Sequence, residues 1–224
     1  MLDGFMSVMK QGGPDMWILL ILSITVVAIV IERLVFFASQ HGDTKGLLKQ
    51  IAAKVQVDDL AGAIKVCQAN KGMLPRILEF GLQRGEKNRA DITDALSIAL
   101  MEHLNALERN LGIIGTIAVI APFVGLAGTV LGIIHAFQDI ALKGNASPAV
   151  VAGGVSEALI TTFAGLVVAV VAVIFFNYFK TRIKVYNQEM IVAANQLAEI
   201  LHFHNTGAPI PTDLYSAKAD SGTK

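Results

Sequence analysis

Hydrophobic positions along this chain gather into long uncharged runs separated by polar stretches. From Met16 to Ile31 no residue carries a charge, and after the pair Glu32-Arg33 the apolar pattern resumes as Leu34-Val35-Phe36-Phe37-Ala38. Sixteen residues are short for a span of ~20, so the pair is expected near the membrane interface of one helix covering 16–38. Trp17 stands at its leading edge, where interfacial aromatic rings prefer to sit. A second run, Leu111 to Phe137, is about 27 residues long, enough to cross with tilt. A third covers Val151 to Phe179. The pattern predicts an all-α membrane protein with three transmembrane helices.

The stretches between the runs read differently. Residues 39–110 form a polar region punctuated by Gly42, Asn70-Lys71-Gly72, Gly81 and Gly85, and short helices fit it. One is Asp58–Ala69, with Leu60, Ala63, Ile64 and Cys67 at helical spacing. Another is Asn88 to Asn110, whose stripe is Leu96, Leu100, Leu104, Leu107 and Leu111, with Asp91 and Asp94 suiting the helix dipole near its start. No breaker follows it, so it is expected to enter the second span as a single long helix. Helical patterning also continues beyond the third span through Ile191, Leu197, Ile200 and Leu201, giving a cytoplasmic helix over 180–206. Helices 2 and 3 are thus expected to extend into a cytoplasmic helical region. Residues 1–15 read as a small amphipathic segment broken at Gly12-Gly13-Pro14, residues 138–150 as a polar periplasmic connection, and residues 207–224 as a disordered tail.

Composition agrees with a membrane protein. The chain is 54% hydrophobic and 16% charged, against roughly 25% charged residues in a typical soluble domain. Its net charge is zero, so nothing points to nucleic acid. The single cysteine, Cys67, excludes an internal disulfide and reads as a buried or half-buried thiol. Residues 1–15 hold one Lys against two Asp, which is a poor cleavable signal, and the first span is expected to stay as an anchor. Fifteen of the eighteen Lys and Arg lie in 39–109 or after Phe179, so both of those regions are expected in the cytoplasm, with the N-terminus and the 138–150 connection outside.

Charge also singles out the candidate site. Between Leu111 and Phe179 only Asp139, Lys143 and Glu157 are charged, and Glu157 heads an apolar run. An ionised carboxylate in hydrocarbon costs several kcal/mol unless a partner, water or a proton relieves it, so such residues are functional candidates. At about 100° per residue, Glu157, Thr161, Ala164, Val168 and Ala172 share one face, while Thr162 lies about 140° away. That arrangement suits a narrow polar or hydrated path between packed helices. In the second span Gly125, Gly128, Thr129 and Gly132 share a face suited to close packing, and Pro122 is expected to kink the helix. A pure packing role for these glycines fits as well as a ligand role. His202 and His204 lack further ligands, so no metal or cofactor is expected, and no Ser–His pair in the spans supports an enzyme. A transporter would show more spans and internal repeats.

At this point the residues resemble a known family. Ala121-Pro122-Phe123-Val124-Gly125-Leu126-Ala127-Gly128-Thr129-Val130-Leu131-Gly132-Ile133-Ile134 resembles the second-helix signature of the MotA/TolQ/ExbB proton-channel family. Gly153-Gly154-Val155-Ser156-Glu157-Ala158-Leu159-Ile160-Thr161-Thr162, with Gly165 and Asn177-Tyr178, resembles its third. The likeness is to the ExbB and TolQ branch; Ala127 and Leu131 depart from it where aromatic residues are common. The resemblance implies a proton pathway of Glu157, Thr129 and Thr162, with Thr161 adding a second hydroxyl, and helix packing at Pro122, Gly125, Gly128, Gly132 and Gly165. It implies a homopentamer in the bacterial inner membrane around a dimer of a single-span ExbD- or TolR-like partner, energising a TonB- or TolA-like protein. ExbB-type nutrient uptake is the first expectation. TolQ-type envelope maintenance, gliding or flagellar motility and a non-conducting scaffold are the alternatives. Sodium in place of protons stays open. Arg109, Lys180 and Arg182, at the ends of the spans, are expected to meet lipid headgroups.

Overall fold

The computed structural model describes residues 13, 15–40, 44–85, 88–143, 148–211 and 214. Seven helices follow one another among these: α1 Asp15–Ser39, α2 Thr44–Gln56, α3 Leu60–Ala69, α4 Met73–Leu82, α5 Arg89–Glu108, α6 Leu111–Lys143 and α7 Pro148–Asn205. No strand occurs among the described residues. Helices α1, α6 and α7 are each long and apolar enough to cross a membrane. The chain divides into two compact units, one of residues 1–34 and 110–180, the other of 35–109 and 181–224.

The first unit carries the spans. Met16, Leu19, Val26, Ile29 and Val30 form the buried stripe of α1, at helical spacing, while Trp17, Ile21, Ile24 and Val35 point outward. Apolar side chains facing outward are what lipid, rather than water, would solvate. Arg33 continues that stripe and is only 1% exposed. Its guanidinium pairs with the Glu32 carboxylate, which also accepts from Asn110 Nδ2 at 3.1 Å. Arg33 thus turns inward while Glu32 stays part-exposed, because a paired and hydrogen-bonded guanidinium is tolerated where a lone one is not.

The expected unbroken helix from 88 into the second span is interrupted. α5 ends at Glu108, Arg109 is extended with ψ 137°, and Asn110 takes φ 64° before α6 begins at Leu111. Asparagine is one of the few residues that enter this left-handed conformation readily. α6 in turn continues through Asp139 to Lys143, and α7 starts at Pro148, so both run into the stretch expected as a polar connection; residues 144–147 of it lie outside the described residues, as do 1–12 and 14 of the amphipathic N-terminal segment.

The second unit is a helical bundle in which α2, α3, α4 and α5 pack consecutively. Its core includes Leu48, Ile51, Val55, Ile77, Leu78, Ile92 and Leu96, with Leu197, Ile200 and Leu201 of α7. Asp59 caps α3 by accepting from Gly62 N at 2.8 Å. That bond, with Lys54 Nζ at 3.1 Å, holds its carboxyl below the usual value. Asn205 Nδ2 donates to Gly85 O at 2.6 Å, and Gly207, at φ 68°, closes the end of α7. Of the tail expected to be disordered, Ile210 is buried, and residues 212 onward except Leu214 lie outside the described residues.

Candidate functional site

The site is built on the seam between α6 and α7. The buried positions of α6 include Ile114, Ile117, Ala121, Gly125, Gly128 and Ala136; those of α7 up to Ala172 are Ala158, Thr161, Gly165, Ala169 and Ala172. Both stripes run at three- and four-residue steps, and both are made of small residues in the stretch where the helices meet. A Cβ on Gly165 would fall 2.6 Å from Ala121 O and 3.0 Å from Gly125 Cα, and one on Gly132 would fall 2.9 Å from Ala158 Cβ. Side chains there would push the helices apart, so backbone lies almost on backbone. Pro122 lies within α6, which stays helical through it. The stripe facing the seam is one step round from the sequence reading: Ala158 and Gly165 are buried, while Ala164 and Val168 are half-buried.

This closeness brings two hydroxyls together. Thr129 Oγ1 of α6 and Thr162 Oγ1 of α7 are hydrogen-bonded to each other. Both also reach one carbonyl, Gly125 O, at 3.2 and 3.0 Å, and Thr129 Oγ1 lies 3.4 Å from Ala158 O. Each hydroxyl has one proton to donate. Two donation patterns therefore satisfy the trio, one with Thr129 donating to Thr162 and one with the reverse. A pair with two such proton arrangements is chemically suited to handing a proton on.

Thr161 behaves differently. Its Oγ1 donates to Glu157 O at 3.2 Å, its methyl faces Gly128, and it is 1% exposed. Glu157, one turn earlier, is exposed on this chain and not enclosed between the two helices. The backbone at Gly13 comes up against it, since a Cβ there would lie 3.0 Å from Glu157 Oε1. Sequence reasoning missed Gly13 and its neighbour Asp15, whose Oδ2 would lie 3.1 Å from a Cβ on Gly128. The pattern offered no signal for either beyond an acidic residue in the first turn of a span.

Arg109 and Arg182 are exposed in the helical bundle unit, and Lys180 Nζ sits 5.4 Å from the Phe176 ring centroid in the membrane unit. His204 Nε2 lies 3.2 Å from Asp58 Oδ1. Among the described residues no group of three or more His, Cys, Asp or Glu is arranged to hold a metal.

A family model, that of the MotA/TolQ/ExbB proton channel family, matches residues 69–191, which include the whole α6–α7 seam. The chain belongs to that family. The biopolymer transport protein ExbB of Salmonella typhimurium is 31% identical over 187 residues, covering 80% of this chain and 77% of its own length. An ExbB homolog of Methanothermobacter thermautotrophicus is 33% identical over 144 residues, and the Tol-Pal system protein TolQ of Haemophilus influenzae 34% over 108. The matches span about half the length of these last two relatives, 51% and 47%. Among solved structures, C. jejuni MotAB shares the fold, with a TM-score of 0.60 at 19% identity over 87% of this chain and 76% of that one. MotA/TolQ/ExbB proteins are channel proteins and not enzymes, and this member is a multi-pass membrane protein.

Proposed function

We propose that the chain is an ExbB-like subunit of an inner-membrane motor driven by the proton motive force, with Glu157 as the group that takes up and releases the proton. The observation that carries the reading is Glu157 itself. It stands within a membrane span, one turn before Thr161 on the helix that also carries Thr162, yet its side chain is exposed on the isolated chain. A carboxylate facing hydrocarbon would be costly, whereas one facing a partner subunit or a hydrated path is relieved. The reading therefore includes a homopentamer around a dimer of a single-span ExbD- or TolR-like partner, with Glu157 turned toward that partner. Thr129 and Thr162 serve the path as paired hydroxyls, and Thr161 fixes the turn that carries Glu157. The small-residue seam keeps α6 and α7 close enough for the hydroxyls to meet.

In this mechanism protonation neutralises Glu157 and lets it sit against an apolar surface, while ionisation calls for water or a cation. Alternation between the two states, as protons descend their gradient, moves the partner against the ring and energises a TonB-like protein for nutrient uptake. Relatives named TolQ at 34 and 36% identity favour envelope maintenance through a TolA-like protein as the second load. Arg109, Lys180 and Arg182 anchor anionic lipid headgroups at the membrane surface in either case.

The deciding experiment is energy-dependent siderophore or vitamin uptake in cells that depend on this chain, comparing native protein with Glu157→Gln. Glutamine keeps the shape and loses the titrating proton, so uptake is expected to vanish while the complex still copurifies. Full uptake by the variant sinks the proton mechanism. Uptake independent of the chain, with an envelope defect in its place, changes the load to the TolQ type.

A further inference from the structure

One charged group of the membrane unit has no task in the reading above. Asp15 is the first residue of α1, where an acidic side chain ordinarily does no more than complement the helix dipole. Two close approaches set this one apart. The backbone at Gly13 lies against Glu157 Oε1, and Asp15 Oδ2 lies over Gly128, at 3.1 Å from where a Cβ would stand. The same point on Gly128 is 2.6 Å from Thr161 Cγ2. The start of α1 is therefore laid across the α6–α7 seam at the turn that holds Glu157 and Thr161. A side chain at Gly128 would collide with Thr161 and crowd the carboxylate.

Position along the membrane gives the approach its meaning. The first span begins at Asp15, and Trp17 beside it is 55% exposed, as an interfacial ring would be. A glutamate within a span needs a route by which protons reach it from water. Asp15 stands at the wet end of one span and touches the seam that carries the glutamate of another. Among the described residues of α6 and α7 the other titratable groups are remote: on α6 the nearest to Gly128 are His135, Asp139 and Lys143, about two turns or more away, and on α7 no acidic or basic residue lies between Glu157 and Lys180.

We propose that Asp15 is a proton relay between interfacial water and Glu157. The inference rests on Glu157 being the proton carrier. In the relay step the Asp15 O–H bond breaks and its proton passes through water to the Glu157 carboxylate, forming an O–H bond there. The Asp15 carboxylate then recovers a proton from hydronium at the interface, so charge and atoms balance without any redox partner.

The test uses the full-length chain with its copurifying single-span subunit, reconstituted in phosphatidylethanolamine–phosphatidylglycerol liposomes. Proton uptake is driven by a potassium diffusion potential and read by a trapped pH dye, with assembly checked by size exclusion. Asp15→Asn keeps the hydrogen-bonding shape suited to a helix start but cannot relay, and uptake is expected to slow by about tenfold or more. Asp15→Glu is expected to conduct at close to the native rate. Asp15→Ala is expected to be slow and to recover as the external concentration of MES, a membrane-impermeant buffer, is raised, because a mobile acid can replace the missing relay. Native flux in Asp15→Asn, or slow flux in Asp15→Ala that MES leaves unchanged, overturns the relay and assigns Asp15 to the helix dipole. Glu157→Gln run alongside separates the two ideas: a conducting Glu157→Gln complex removes the proton-carrier reading itself.

Discussion

Cys67 shows how far a single residue's chemistry follows from its surroundings. The thiol is 1% exposed, and burial, with the Glu79 charge adding to it, pushes its pKa up to about 12. Burial disfavours the charged thiolate, so at pH 8 the reactive fraction is on the order of one in 10⁴. The folded chain in detergent is therefore expected to stay unlabelled by iodoacetamide at pH 8 and still at pH 9.5, where an exposed thiol reacts readily, and to label fully once unfolded. Fast labelling of the native protein contradicts the burial. Glu157 was visible in the sequence for a related reason, as a lone charge in an apolar run. Helical angle alone did not rank Thr161 against Thr162, because a wheel gives directions around one helix and says nothing of which direction the neighbour occupies. In the structure Thr162 is the hydroxyl bonded to Thr129, while Thr161 bonds back to its own helix. Asp15 was invisible, since an acid in a first turn is ordinary.

Among the elements, the spans were legible because lipid demands length and continuous apolar character, and both are written directly in the chain. The break between α5 and α6 was not, because Asn110 is acceptable inside a helix and carries no signal of the left-handed turn it adopts. Its physical basis is testable. Asn110→Val would place a β-branched residue at φ 64° and remove the donor to Glu32 Oε2, beside the buried Arg33. Left-handed backbone costs about 1–2 kcal/mol in residues other than Gly, Asn and Asp, so the thermal midpoint of the variant in detergent is expected to fall by several degrees. Asn110→Gly keeps the conformation and loses only the hydrogen bond, and is expected to lie between the two. Equal stability of the valine variant and the native chain contradicts the break.

For the whole molecule, the distribution of positive charge carries the proposed topology. Fifteen of the eighteen basic residues belong to 39–109 or follow Phe179, and four of them, Arg109, Lys180, Arg182 and Lys184, stand where apolar runs end. Lys and Arg near membrane ends are retained on the cytoplasmic side, so the topology we propose has residues 39–109 and the segment after Phe179 there, and the end of α6 on the other side. Single-cysteine variants on a Cys67→Ala background report this directly in intact cells. Leu142→Cys near the end of α6, where Leu142 is 84% exposed, is expected to react with a membrane-impermeant maleimide in cells whose inner membrane is sealed. Thr206→Cys, just past α7 and also exposed, is expected to react only after that membrane is permeabilised. The reverse pattern would invert the chain. It would also reverse the sense in which protons pass Asp15 and Glu157, because both lie on the side of the seam where α1 begins. If both positions label from outside, the end of α7 lies on the same side as the end of α6, and the third span does not cross.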